Sequence, residues 1–177
     1  AQPVPARDAP KKEEKRPPID PDWMHVNAVA YNADLDQLAL SSPNFNEIWI
    51  IDHGTTTEEA RGHTGGRWGR GGDLLYRWGN PRTYRQGTRL DQRLFFQHNI
   101  QWIPKGLCGE GHLLVFNNGS GRQPDEYSSV EELDPPTYKA GGYIRREHAP
   151  FGPDAALWSY TATNKSEFFS WFISGTQ

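Results

Sequence analysis

The chain has 177 residues, 35% hydrophobic and 23% charged, with 18 glycines, 14 prolines, one cysteine and a formal charge of −3. That length suits one domain, and no run approaches the ~18 consecutive apolar residues of a transmembrane helix. The acidic balance argues against nucleic acid or an anionic membrane as partner, and the lone Cys108 excludes an internal disulfide framework and a cysteine-based zinc site.

Residues 1–20 combine prolines with the charge run KKEEKR and show no apolar periodicity, which predicts a solvated tail or linker. From Asp22 onward, short apolar runs follow one another: HVNAVAY, DQLALSS, EIWIID, DLLYRWG, HLLVFNN, SSVEEL, AALWSY and FFSWFIS. Gly, Pro, Asn and Asp clusters separate them, and runs of ~4–8 residues so bounded are read as strands. The only helical signal is one turn over 55–61 (TTTEEAR). The predicted fold class is all-β.

The strands repeat. His25-Val-Asn opens one unit, His98-Asn-Ile a second and Ser174-Gly-Thr-Gln a third, at intervals of about 75 residues. LALSSPN (38–44) parallels LLVFNNG (113–119), EIWIID (47–52) parallels SSVEEL (128–133), and LLYRWG (74–79) parallels ALWSYT (156–161). Repeated units of four short antiparallel strands predict β-propeller blades, here two plus the first strand of a third, over residues 21–177. Each unit carries an insertion between its third and fourth strands, containing GHTGGRWGRGG in the first and PPTYKAGGYIRREHAPFGP in the second. A propeller closes with ~4–8 blades, so the remaining blades are expected from the same or another chain.

Innermost strands line a propeller's central channel, and the repeat puts His25 and His98 at the start of successive innermost strands. With Asn27 they would form a polar cluster at the channel mouth, able to supply a nucleophile or base and hydrogen-bond donors. Each His could equally do no more than satisfy backbone groups at a strand start. Asp52, His53, His63 and Asp73 have no spacing that fixes them as a metal site, so they read as surface polar residues. Metal-assisted hydrolysis at the channel is a third reading, which requires a bound metal.

DWMHVNAVAYN, LALSSPNFNEIWIID, QHNIQWIP, HLLVFNNGSGR and EYSSVEEL together resemble the arylsulfate sulfotransferase family. The resemblance implies a periplasmic or secreted six-bladed propeller that moves a sulfuryl group between phenols without a nucleotide sulfate donor and without a cofactor. Its partners would be a small aromatic sulfate donor and a phenolic acceptor. His98 maps onto the family's transient sulfohistidine, and His25 and Asn27 map onto the donors beside it. A neutral imidazole nitrogen is nucleophilic near pH 7 without an activating base, while the departing phenolate needs a donor.

One position departs from the family. Where the family has Arg after the Ser pair, this chain has Pro43, which brings neither charge nor side-chain donor. Arg67 and Arg70, on a Gly-rich loop expected to be flexible enough to fold inward, and Arg122 in NNGSGR are the candidates to bind the sulfate instead. The alternative is a diverged propeller that acts as a binding or structural module.

Overall fold

The structure is a computed structural model that describes residues 20–138 and 142–177. The tail expected over residues 1–20 therefore lies, Asp20 apart, outside the described residues. The chain is all-β. The strands β1 (Ala28–Asn32), β2 (Gln37–Ser42), β3 (Glu47–Asp52) and β4 (Tyr76–Trp78) form one antiparallel sheet in that order. A second sheet contains β5 (His98–Trp102), β6 (Leu113–Asn117) and β7 (Ser129–Leu133). After a hairpin of β8 (Thr137–Tyr138) and β9 (Gly142–Tyr143), β10 (Trp158–Tyr160) closes its outer edge. The expected helical turn is α1 (Thr57–Ala60), and a second single turn, α2 (Lys165–Phe168), follows β10. Among the described residues no helix is long and apolar enough to cross a membrane.

The strand period of two sorts residues between faces. Ala39, Ile48, Ile50, Tyr76 and Trp78 share one face of the first sheet through their register pairings. They form a single core with Leu113, Val115 and Leu133 of the second sheet, and Ala28, Ala30 and Trp102 pack against it. The small alanines let β1 and β2 come close to β5. Each large aliphatic side chain so covered contributes ~1.5–3 kcal/mol.

A repeated irregularity aligns the two sheets. The Leu75 N–H donates to the Ile50 carbonyl at 2.8 Å, and the Leu157 N–H donates to the Glu132 carbonyl at 2.8 Å. Ile50 is thus the counterpart of Glu132, and through the pairings Ala39–Ile50 and Leu114–Glu132, Ala39 is the counterpart of Leu114. Ala39 turns toward the second sheet, while Leu114 lies on the face that the second sheet turns away. The sheets stack in the same sense, as successive copies of one unit, not as two faces meeting across a two-fold axis.

The same register corrects the assumed equivalence of the two histidines. Ala28 pairs with Ser41, and His98 pairs with Phe116, the counterpart of Ser41. His98 therefore corresponds to Ala28, and His25 lies three residues before that position, outside β1. A bulge between His98 and Gln101, with Asn99 at φ 52, changes the count again within β5. Sequence similarity alone does not register either offset.

Both insertions fall between third and fourth strands, as expected. The first is folded, contrary to the expectation of a flexible loop. Asp52 accepts from the Gly54 and Trp68 N–H groups at 2.9 and 3.0 Å, and Glu59 accepts from those of Thr56 and Gly66 at 2.8 and 3.0 Å. Gly71 has φ 54, and a Cβ there would lie 2.6 Å from the carbonyl oxygens of Glu59 and Gly62, so only glycine fits. The second insertion crosses back over the first sheet. Tyr76 Oη donates to the Gly152 carbonyl at 2.8 Å, Trp78 Nε1 to that of Pro153 at 2.7 Å, and Tyr143 Oη to Gln37 at 2.8 Å.

The expected first strand of a third unit is not formed. Ser174–Gln177 carries no strand pairing. Side chains hold it beside β5 instead: Asn99 Oδ1 accepts from the Thr176 N–H at 2.7 Å, and Gln101 Nε2 donates to the Thr176 carbonyl at 2.6 Å.

Candidate functional site

His98 is half-buried at the first position of β5, its ring 5.8 Å from that of Phe96. Its tautomer follows from its neighbours. Asn118, fully buried just beyond β6, donates through Nδ2 to the carbonyls of Ser170 and Ile173 at 2.8 and 2.7 Å. Those acceptors orient the carboxamide so that its oxygen faces the imidazole, and His98 Nδ1 donates to Asn118 Oδ1 at 2.8 Å. The Phe96 carbonyl, 3.2 Å from the same nitrogen, also only accepts. With the proton on Nδ1, the lone pair is on Nε2.

From the sequence Asn118 stands out only as the first residue of a chance glycosylation pattern, Asn118-Gly-Ser, and not as a partner of His98. The available signal was the Asn117-Asn118 pair closing an apolar strand, where two carboxamides have no packing role. Asn117 is buried as well and grips the chain entering β5, accepting from the Phe95 N–H and donating to the Arg93 carbonyl, both at 2.9 Å.

The remaining candidates divide between two ends of the molecule. Asn27 reaches the His98 end, where its Nδ2 donates to the Gln97 carbonyl at 2.9 Å. It thereby braces the start of β1 against the chain entering β5, with one of its two N–H donors engaged; its Oδ1 is buried without a partner. His25 sits at φ 46 in the segment before β1, largely exposed, with Nδ1 on Asp22. The expected pair of imidazoles at matching strand positions is therefore absent.

Arg67 and Arg70 are exposed and belong to the opposite end. Arg67 Nη1 donates to the Asp34 carbonyl, in the turn between β1 and β2, at 3.3 Å. That turn is a strand length, ~17–20 Å, from the start of β1. Asp52 and Glu59 pin the loop there, so neither arginine is presented to His98. Arg122 follows Asn118 by four residues and lies at the His98 end. Its guanidinium donates to Tyr127 Oη and Ser129 Oγ, both at 3.2 Å.

Of the other histidines, His112 faces two acids, with Nδ1 2.7 Å from Glu132 and Nε2 3.7 Å from Asp134, while His53 and His63 pair with one acid each. His63 meets Asp73 and His53 meets Asp36, each at 2.7 Å. The His53 contact, with a second hydrogen bond from Tyr31, holds the Asp36 carboxyl below the usual range. Among the described residues no group of three or more His, Cys, Asp or Glu could hold a metal. No family model matches the chain, and no curated protein matches it either.

Proposed function

We propose that the chain is part of a secreted or periplasmic β-propeller that transfers sulfuryl groups from aryl sulfates to phenols through Nε2 of His98. The observation that carries this reading is the fixed tautomer: Nδ1 is bound to Asn118 and the Phe96 carbonyl, leaving Nε2 as a positioned nucleophile. Same-sense stacking of the sheets supports the propeller, because a unit that packs this way offers each neighbour the next position in a ring.

In the first half-reaction the Nε2 lone pair forms the N–S bond as the aryl O–S bond breaks, and the phenolate leaves with that electron pair. The acceptor phenol then attacks sulfur, its proton passing to water and on to the released phenolate, and the N–S bond pair returns to Nε2. Asn118 is a positioning residue. It holds the ring and stabilises the positive charge that develops when Nε2 is sulfated.

Pro43 favours the second reading, a binding or structural module without transfer. It occupies the turn between β2 and β3, its carbonyl accepting from the Asn46 N–H at 2.9 Å, and supplies no cation for sulfate.

The test is incubation with 4-nitrophenyl sulfate and phenol, following nitrophenol release and the mass of the peptide carrying His98. Transfer requires a sulfuryl adduct on that peptide, abolished by His98→Ala, kept by His25→Ala, and slowed ~10–100-fold by Asn118→Ala. An adduct that survives His98→Ala moves the nucleophile elsewhere. No adduct with any aryl sulfate leaves the module.

A further inference from the structure

We infer that a second site, distinct from His98, binds an amphiphilic oxyanion: a sulfonate, sulfate or phosphate carried on an apolar body. A cavity of about 510 Å³ opens between the chain entering β5, the loop joining β6 to β7, and α2. Arg89, Arg93, Arg122 and Lys165 line it together with Phe95 and Tyr127, and Asp125 is the one acid in its wall. His98 is not among the lining residues.

None of these four cations makes an ion pair among the described residues, although acids elsewhere in the structure do so. Their hydrogen bonds and ring contacts are with neutral groups, and Asp91 is near enough to Arg93 to attract it without forming an ion pair. Arg93 donates to the carbonyls of Asp154 and Leu90. The Arg122 guanidinium lies 4.2 Å from the Tyr127 ring centroid and 5.1 Å from that of Phe95, and its Nε is buried without a partner. Lys165 Nζ lies 3.9 Å from the same Tyr127 centroid. Two positive charges held on one ring are thus within about 8 Å of each other, no more than a Debye length at physiological salt.

Ring faces offset part of that repulsion, but a multivalent oxyanion offsets more, since guanidinium forks and an ammonium match its oxygens. The volume falls in the range of pockets that enclose a whole small molecule, ~300–1,000 Å³, and exceeds the needs of a bare inorganic ion. Leu90, 86% exposed at the rim, and the two rings supply apolar surface for the body of the ligand.

The proposal does not depend on sulfuryl transfer, and benzenesulfonate separates the two because its C–S bond offers no leaving phenolate. Titration of the ¹⁵N-labelled chain with benzenesulfonate should shift the Arg122 Nε and the Gly121 and Lys165 amide signals. Inorganic sulfate should bind at least tenfold more weakly, and neutral benzyl alcohol should cause no shift. The paired exposed variant Arg89→Gln/Lys165→Gln should weaken binding about tenfold or more. Arg122→Lys, which keeps the charge and loses the fork, should do the same, and His98→Ala should change nothing. Absence of saturable shifts, equal affinity for benzyl alcohol, or loss of binding in His98→Ala would each overturn the proposal.

Discussion

Glu47 is the most committed single residue in the first sheet. It is fully buried at the start of β3, and its carboxylate accepts from Arg77 Nε, Arg77 Nη2, Trp49 Nε1 and Thr83 Oγ1 at 3.1, 2.5, 2.6 and 2.5 Å. Those donors come from β3, β4 and the 3-10 turn Pro81–Tyr84, and Arg77 also stacks 4.2 Å over the Tyr84 ring. Replacing Glu47 by Ala leaves Arg77 without its counter-charge in a mostly covered position. The expected loss is ~3–5 kcal/mol, since the remaining ion keeps its desolvation cost. Chemical denaturation of Glu47→Ala against wild type measures it, and a loss below ~1 kcal/mol would mean that the network is not structural. His98 and Asn118 show the same residue-scale logic applied to chemistry: a buried carboxamide with its donors already used has only its oxygen to give, and that oxygen decides which imidazole nitrogen is free.

The element that departs most from its sequence expectation is the first insertion. Glycines at 62–72 suggest slack, yet two acids gather its backbone N–H groups, and Thr56 and Glu59 cap α1 reciprocally. The Gly66 N–H first, and then that of Thr56, hold the Glu59 carboxyl below its ordinary range. Because the folded value is lowered, this anchoring is complete above the unfolded value, ~4.3, and is lost as pH falls through the lower folded value. Amide exchange of Gly66 should therefore be protected at pH 6 and lose protection relative to the β3 amides as pH drops below about 4. In Glu59→Gln that pH dependence should disappear. A Gly66 amide unprotected at pH 6 would show that the loop is not anchored through Glu59. The pinned loop also explains why Arg67 and Arg70 stay at the far end of the sheet.

At the scale of the whole molecule, same-sense stacking leaves two unlike apolar faces open. The first sheet exposes Val29 and Tyr31 at 61% and 54%, on the face shared with Leu38, Leu40 and Ile51. The second exposes Trp158 and Tyr160 at 50% and 46%. Leu38, Leu40 and Ile51 are the counterparts of Leu113, Val115 and Leu133, which already pack against a sheet inside this chain. A face of that composition fits a further unit of the same kind, and head-to-tail contacts of this sort propagate. The isolated chain should self-associate in sedimentation at micromolar concentration, and Val29→Lys/Tyr31→Glu should shift it toward monomer without changing its circular dichroism. A wild-type chain that remains monomeric at 100-fold higher concentration would argue against these faces as interfaces.

Local pattern was enough to locate the elements. Alternating apolar runs cut by Gly, Pro and Asn placed the four strands of each sheet, both insertions and the turn at α1, because strand and turn preferences act over a few neighbouring residues. The run FFSWFIS, expected as a strand, forms none and begins at the end of α2, and neither α2 nor the β8–β9 hairpin was legible. Four tryptophans fall within strands, where a large ring ordinarily packs; Trp49 and Trp78 are buried and Trp102 packs against the core, but Trp158 is 50% exposed. Register was not legible. Pairing His25 with His98 required knowing which residue of β1 faces which residue of β2, and whether β5 carries a bulge. Hydrogen bonds between strands distant in sequence decide both. For the same reason only the tertiary structure joined Asn118 to His98, 20 residues apart, and gathered Arg93, Arg122 and Lys165 around one cavity. The sequence determined where the strands of the two sheets run and which side chains are candidates for chemistry. The packing of those strands decided which of the side chains meet, since contact depends on long-range register that no local preference encodes.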